Sequence, residues 1–126
     1  MQYELFDIEL IKNNIVEVVF KDKVFLNTFI TDQIEEGIQA LCPNQKVYQI
    51  VIAKGPYAVD PEMRNAVVHG EAGVKQLAIA WVSPDKAANR EQEAIVSKLP
   101  LPYPIRFFDD RESAMAWVES LLASKS

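Results

Sequence analysis

The sequence predicts a single α/β domain: a mostly parallel five-stranded sheet that opens with an antiparallel β-hairpin and carries four helices. Three observations lead there. Near the N-terminus two strand-like segments, Tyr3 to Ile11 and Ile15 to Phe20, are separated only by Lys12, Asn13 and Asn14. Further on, VYQIVIA (47–53) and QLAIAWV (76–82) are apolar on both faces, as central parallel strands covered by helices on both sides must be. Such runs alternate with segments of helical spacing, which implies right-handed crossovers between parallel neighbours.

The elements follow in order. Tyr3 to Ile11 places Phe6, Ile8 and Leu10 on one side, Ile15 to Phe20 is β-branched, and the intervening asparagines tolerate positive φ, so the pair reads as a hairpin. Lys21 to Asn27 is a connection. From Thr28 to Leu41, Phe29 or Ile30, Ile34, Ile38 and Leu41 recur at helical spacing, and Pro43 stops the helix. After the strand 47–53 and a loop from Lys54, Asp60, Pro61 and Glu62 start a short second helix: an acceptor at the N-cap, proline where no amide hydrogen is needed, and an acid near the positive end of the dipole. It ends near His69 and Gly70. Ser83, Pro84 and Asp85 repeat this logic for a third helix to Lys98 with few apolar positions, which predicts a mostly solvated surface helix. PLPYP (100–104) is an extended connector, because proline fixes φ and pushes its predecessor out of the α region. Ile105 to Phe108 is the last strand. Asp109 with Glu112 forms a capping box for a final helix whose buried stripe is Ala114, Trp117, Val118, Leu121 and Leu122.

With 126 residues the chain fits one domain, 1–126, large enough to bury roughly two-thirds of its unfolded surface. The net charge is −5, and basic residues are scattered singly, so phosphate backbones would be repelled and nucleic acid is not an expected partner. No apolar run approaches the roughly 20 residues that span a bilayer, so no membrane insertion is expected. The N-terminal MQYELFDIELIKNN lacks the basic and apolar regions of an export signal, which makes the cytoplasm the expected compartment. Cys42, the single cysteine, ends an apolar helix and reads as a buried, inert thiol.

Chemistry-bearing residues do not cluster. His69, the single histidine, has Glu71 as its nearest acid and no nucleophile beside it. Helix capping already explains Asp60, Glu62, Asp109 and Glu112, so no metal site is expected, and KGPYAVD (54–60) lacks the repeated glycines of a phosphate-cradling loop. No catalytic residue and no cofactor are assigned. The candidate binding residues are Lys54, Gly55, Tyr57, Asp60 and Arg64, because a strand end and a helix N-terminus converge there. Lys54 and Arg64 could hold an anion with free backbone amides. Tyr57 is either an exposed aromatic anchor or a closing residue of the core.

The element order resembles the STAS domain, the sulfate-transporter and anti-sigma-factor-antagonist family, or SpoIIAA-like fold group, in its stand-alone bacterial form. The particular marks are VYQIVIA running into the loop before PEMRNAVV, the strand QLAIAWV, and the ending IRFFDDRESAMAWVESLL, similar to the F-x-D-x-x-x-A-x-x-W-L close of uncharacterised bacterial members. The resemblance implies a non-catalytic regulatory or protein-interaction module with a protein partner and self-association as a homodimer. The phosphorylatable serine or threonine of regulatory members has no counterpart, since Gly55 to Glu62 offers only the hydroxyl of Tyr57. The alternative is a carrier or sensor of a small anion or apolar molecule, lodged between sheet and helices.

Overall fold

The structure is a computed structural model that describes residues 1–72 and 75–124. Among the described residues the chain forms seven strands and four helices. They are β1 (Phe6–Lys12), β2 (Ile15–Phe20), β3 (Val24–Leu26), α1 (Thr28–Leu41), β4 (Val47–Ile52), β5 (Tyr57–Val59), α2 (Pro61–Val68), β6 (Gln76–Val82), α3 (Lys86–Val96), β7 (Ile105–Phe108) and α4 (Arg111–Ser124). Five strands make a mixed sheet in the order β1-β2-β4-β6-β7, with β1 antiparallel to β2 and the other neighbours parallel. The expected hairpin turns at Asn13, whose φ of 50° lies in the left-handed region that asparagine tolerates.

Two segments differ from the sequence reading. The connection at 24–26 and the loop at 57–59 pair with one another as a small parallel sheet, β3 with β5. Three residues are too few to carry a periodic signal, so these strands exist through their tertiary pairing. Two helix starts are also displaced. Asp85, not Ser83, caps α3 by accepting from the Ala88 amide at 3.0 Å, while Ser83 Oγ accepts from the Asp85 amide at 3.1 Å. Asp110, not Asp109, caps α4, accepting from the Ser113 amide at 2.7 Å and the Ser113 hydroxyl at 3.2 Å. Those bonds hold the Asp110 carboxyl below the usual carboxylate range. Asp109 pairs instead with Lys86 at 3.7 Å. At α2 the cap is as expected: Asp60 Oδ1 accepts from the Glu62 amide at 3.0 Å, followed by Pro61.

Strand alternation sends apolar side chains to both faces of the large sheet. Val16 and Val18 of β2, Val51 of β4 and Trp81 of β6 meet Ile30, Ile34 and Ile38 of α1. Gly37 brings α1 close to β1, where a Cβ would stand 3.1 Å from Ile8 Cγ2. The opposite face presents Ile15, Ile50, Ala78, Ala80 and Val82 to Ala114 and Val118 of α4. Trp117 is only half-buried at the margin of this layer, tilted against Phe108 at 5.8 Å between ring centroids and under the Arg106 guanidinium at 5.6 Å. A third cluster, Met63, Val67, Ala72 and Tyr103, seats α2 over Ile79 and Ile105 on the α1 side.

Candidate functional site

On the α1 side of the sheet, β6 and β7 diverge from α2 and α3 and leave a cavity of about 100 Å³. Its floor is Val51 of β4 with Ile79 and Trp81 of β6 and Phe107 of β7. Its roof is Met63, Arg64 and Val67 of α2 with Gln92 and Val96 of α3. The connector that the prolines keep extended contributes Leu101 and Tyr103, and Leu26 of β3 and Val59 of β5 close the side. The small sheet therefore has a purpose in the fold: pairing β3 with β5 holds Leu26 and Val59 beside α2.

Polar atoms in this apolar shell are unevenly satisfied. Gln49 and Gln76 are buried on the floor of the sheet, where the apolar pattern of both strands is interrupted on the same face. Gln76 Oε1 and Trp81 Nε1 have no hydrogen-bond partner among the described residues, and these side chains are only 6% and 5% exposed. Burying an amide or indole group unpaired costs on the order of 1–3 kcal/mol, so each such atom calls for an explanation. Tyr103 is buried as well; burial first, and the negative charge of Glu35 second, push its hydroxyl well above its ordinary value of 10.0.

The five candidate residues separate in space. Tyr57 lies in β5 with its side chain 9% exposed, its ring 4.8 Å from Trp81, and its hydroxyl donating to Asn89 Oδ1 at 2.8 Å. It closes the core and is no exposed anchor, because a ring set opposite Trp81 with an acceptor for its hydroxyl buries without penalty. Burial raises its hydroxyl far above 10.0, with Asp85 and Glu91 adding to the effect. Arg64 turns toward α3, where Nη1 donates to Gln92 Oε1 at 3.2 Å and, at the limit of a hydrogen bond, to the Val59 carbonyl at 3.5 Å. Asp60 serves as the α2 cap. Lys54 stays exposed just beyond β4, and an added Cβ at Gly55 would meet nothing within 4 Å, so no close approach demands glycine there.

Gln76, Trp81, Gln92 and Tyr103, which help shape the cavity, are not among the candidate binding residues of the sequence. A signal for them was present. Gln49 and Gln76 stand in otherwise apolar strands, and α3 turns Asn89 and Gln92, three residues apart, inward as its buried face. A surface helix whose buried positions are amides has polar partners to meet.

The architecture can be compared with solved structures. A protein of the DUF3478 family from Shewanella loihica, itself uncharacterised and described as having a SpoIIAA-like fold, superposes with a TM-score of 0.57 over 94% of this chain and 98% of that one. The chain has a SpoIIAA-like fold. Sequence identity in this match is 11%, so the likeness concerns the fold alone. No family model matches the sequence, and no curated protein matches it. Among the described residues, no helix is long and apolar enough to cross a membrane.

Proposed function

We infer that this protein is a non-catalytic carrier or sensor that holds a small, largely apolar molecule between α2, α3 and the sheet. The observation that carries this reading is the cavity itself: about 100 Å³ of largely apolar space, whose lining includes two nine-tenths-buried side chains, Gln76 and Trp81, that each hold a polar atom without a partner among the described residues. Small-molecule sites have this composition, an apolar lining with few convergent polar groups. The placing of the reactive side chains supports binding without catalysis. Cys42 is buried at the end of α1 outside the cavity lining, and His69 is exposed at the end of α2 with Nδ1 2.9 Å from the Asn65 carbonyl. The test is a titration with benzene and hexan-1-ol, followed by the fluorescence of Trp81 in a Trp117→Phe background. Saturable quenching or a spectral shift is expected, and Ile79→Phe, which fills the floor, should abolish it. A flat titration with both probes overturns the reading.

A second reading rests on a separate observation. Phe25 of β3 and Phe29 in the first turn of α1 are 54% and 66% exposed, large apolar groups four residues apart. Exposed aromatics of this kind suit a protein-interaction module, including self-association. Sedimentation across a wide concentration range tests it, with Phe29→Ser as the control.

A further inference from the structure

The cavity lining holds a single charged side chain among the described residues, Arg64. Its guanidinium has five N–H donors, and only Nη1 is engaged, by Gln92 Oε1 and weakly by the Val59 carbonyl, both neutral acceptors. None of the four ion pairs found among the described residues involves Arg64. A half-buried cation without an anion is an unusual arrangement, since charges withdrawn from water are normally paired.

Trp81 supplies the second observation. Its Nε1 is a buried N–H donor with no partner among the described residues, on a side chain that lines the same cavity. The two donors belong to one end of the space: Tyr57 packs on Trp81 and bonds Asn89, while Arg64 bonds Gln92, one helical turn further along α3. Gln76 stands five residues before Trp81 on β6, roughly 16 Å along the strand. Its unpartnered atom is an acceptor, Oε1, which would repel an anion. Of these three groups, the positive charge and the unpartnered donor lie at one end and the unpartnered acceptor at the other.

We propose that the cavity binds a small monocarboxylate with an apolar body, its carboxylate on Arg64 at the Trp81 end and its hydrocarbon running toward Tyr103. This rests on the ligand-binding reading above and names the ligand class. One cation calls for one negative charge, and no second cation among the described residues lines the cavity to receive another. The volume limits the body to about four to six non-hydrogen atoms, because an engineered cavity of about 150 Å³ holds the six of benzene. A carboxylate matches a guanidinium in planar geometry, and such charge-assisted bonds are the stronger kind.

The experiment compares hexanoate with hexan-1-ol, equal in chain length and differing in charge, by calorimetric or NMR titration near neutral pH. Wild type should bind hexanoate at least tenfold more tightly than hexan-1-ol. In Arg64→Gln, shown folded by circular dichroism, that ratio should fall to about one, and Arg64→Lys should restore part of it. Equal affinities in wild type, or a preference that persists in Arg64→Gln, overturn the carboxylate proposal while leaving the ligand-binding reading standing. Binding of neither probe overturns both.

Discussion

On the α4 side of the sheet, Ile15, Ile50, Ala80 and Val82 meet Ala114 and Val118 in a layer whose fully buried side chains are apolar. On the α1 side two of the same strands, β4 and β6, contribute Gln49, Gln76 and Trp81 to the lining of a cavity of about 100 Å³ roofed by α2 and α3. The difference follows from what each strand offers its two faces. Small alanines at 78 and 80 let α4 lie close against the sheet, and a close-packed interior has no room to spare. Opposite, the short α2 and the amide-lined face of α3 cannot fill the space above Ile79 and Trp81. One face is closely packed and the other leaves a cavity.

The largest expected effect is on the packed face. Ile50→Ala should cost about 2–5 kcal/mol in urea unfolding, the range for truncating a fully buried aliphatic side chain. The matched truncation Ile79→Ala, at a half-buried position already beside empty space, should cost clearly less. Equal losses would erase the distinction between the faces.

Enlargement should sharpen it. Val118→Phe forces a ring into the α4 layer and is expected to cost about 1–3 kcal/mol, whereas Ile79→Phe grows into the cavity and should stay within about 1.5 kcal/mol of wild type. Chemical denaturation of the two variants side by side reads the difference.

A smaller effect is expected where the open face is tied to its roof. Tyr57→Phe removes the donor to Asn89 Oδ1 and should cost about 1–2 kcal/mol by the same measurement. The same residue predicts a pH dependence. Burial raises the Tyr57 and Tyr103 hydroxyls in the folded protein above the ordinary 10.0, so the folded state holds protons that the unfolded state releases. This contribution is complete below pH 10 and is lost as pH rises beyond it. Stability should therefore fall above pH 10, less steeply in Tyr57→Phe.

The smallest effect on stability belongs to the outer surface of the open side. Phe29→Ser should change unfolding free energy by less than about 0.5 kcal/mol, as an exposed substitution away from caps and core does. If it nevertheless lowers the sedimentation coefficient of a self-associated wild type, the exposed Phe25 and Phe29 surface is an interface.

Much of the fold was legible because it is written in long periodic segments. The hairpin at Asn13, the central runs 47–53 and 76–82, and the helix started by Asp60 and Pro61 each carry a local cause that the structure retains. Strands β3 and β5 were not legible, since their stability comes from each other across 33 residues of sequence. The displaced caps have a simpler reason: adjacent acceptors compete, and Asp110 wins over Asp109, and Asp85 over Ser83, once packing fixes where the helix begins. For the site, the sequence points to the 54–64 segment and leaves two uses open for Tyr57, an exposed anchor or a closing residue of the core. Tyr57 serves the core, and of the five candidate residues Arg64 alone lines the cavity. The remaining walls come from β6, α3 and the 99–105 connector, which no local pattern links to that loop.

The most direct measurement is a methyl-resolved NMR titration with hexanoate on uniformly labelled protein. Shifts should be large for Ile79, Val67 and Leu101 and near zero for Ile50, Ala80 and Val118 across the sheet. Equal perturbation of both faces, or none at saturating hexanoate, would contradict the assignment of the open face as the ligand site.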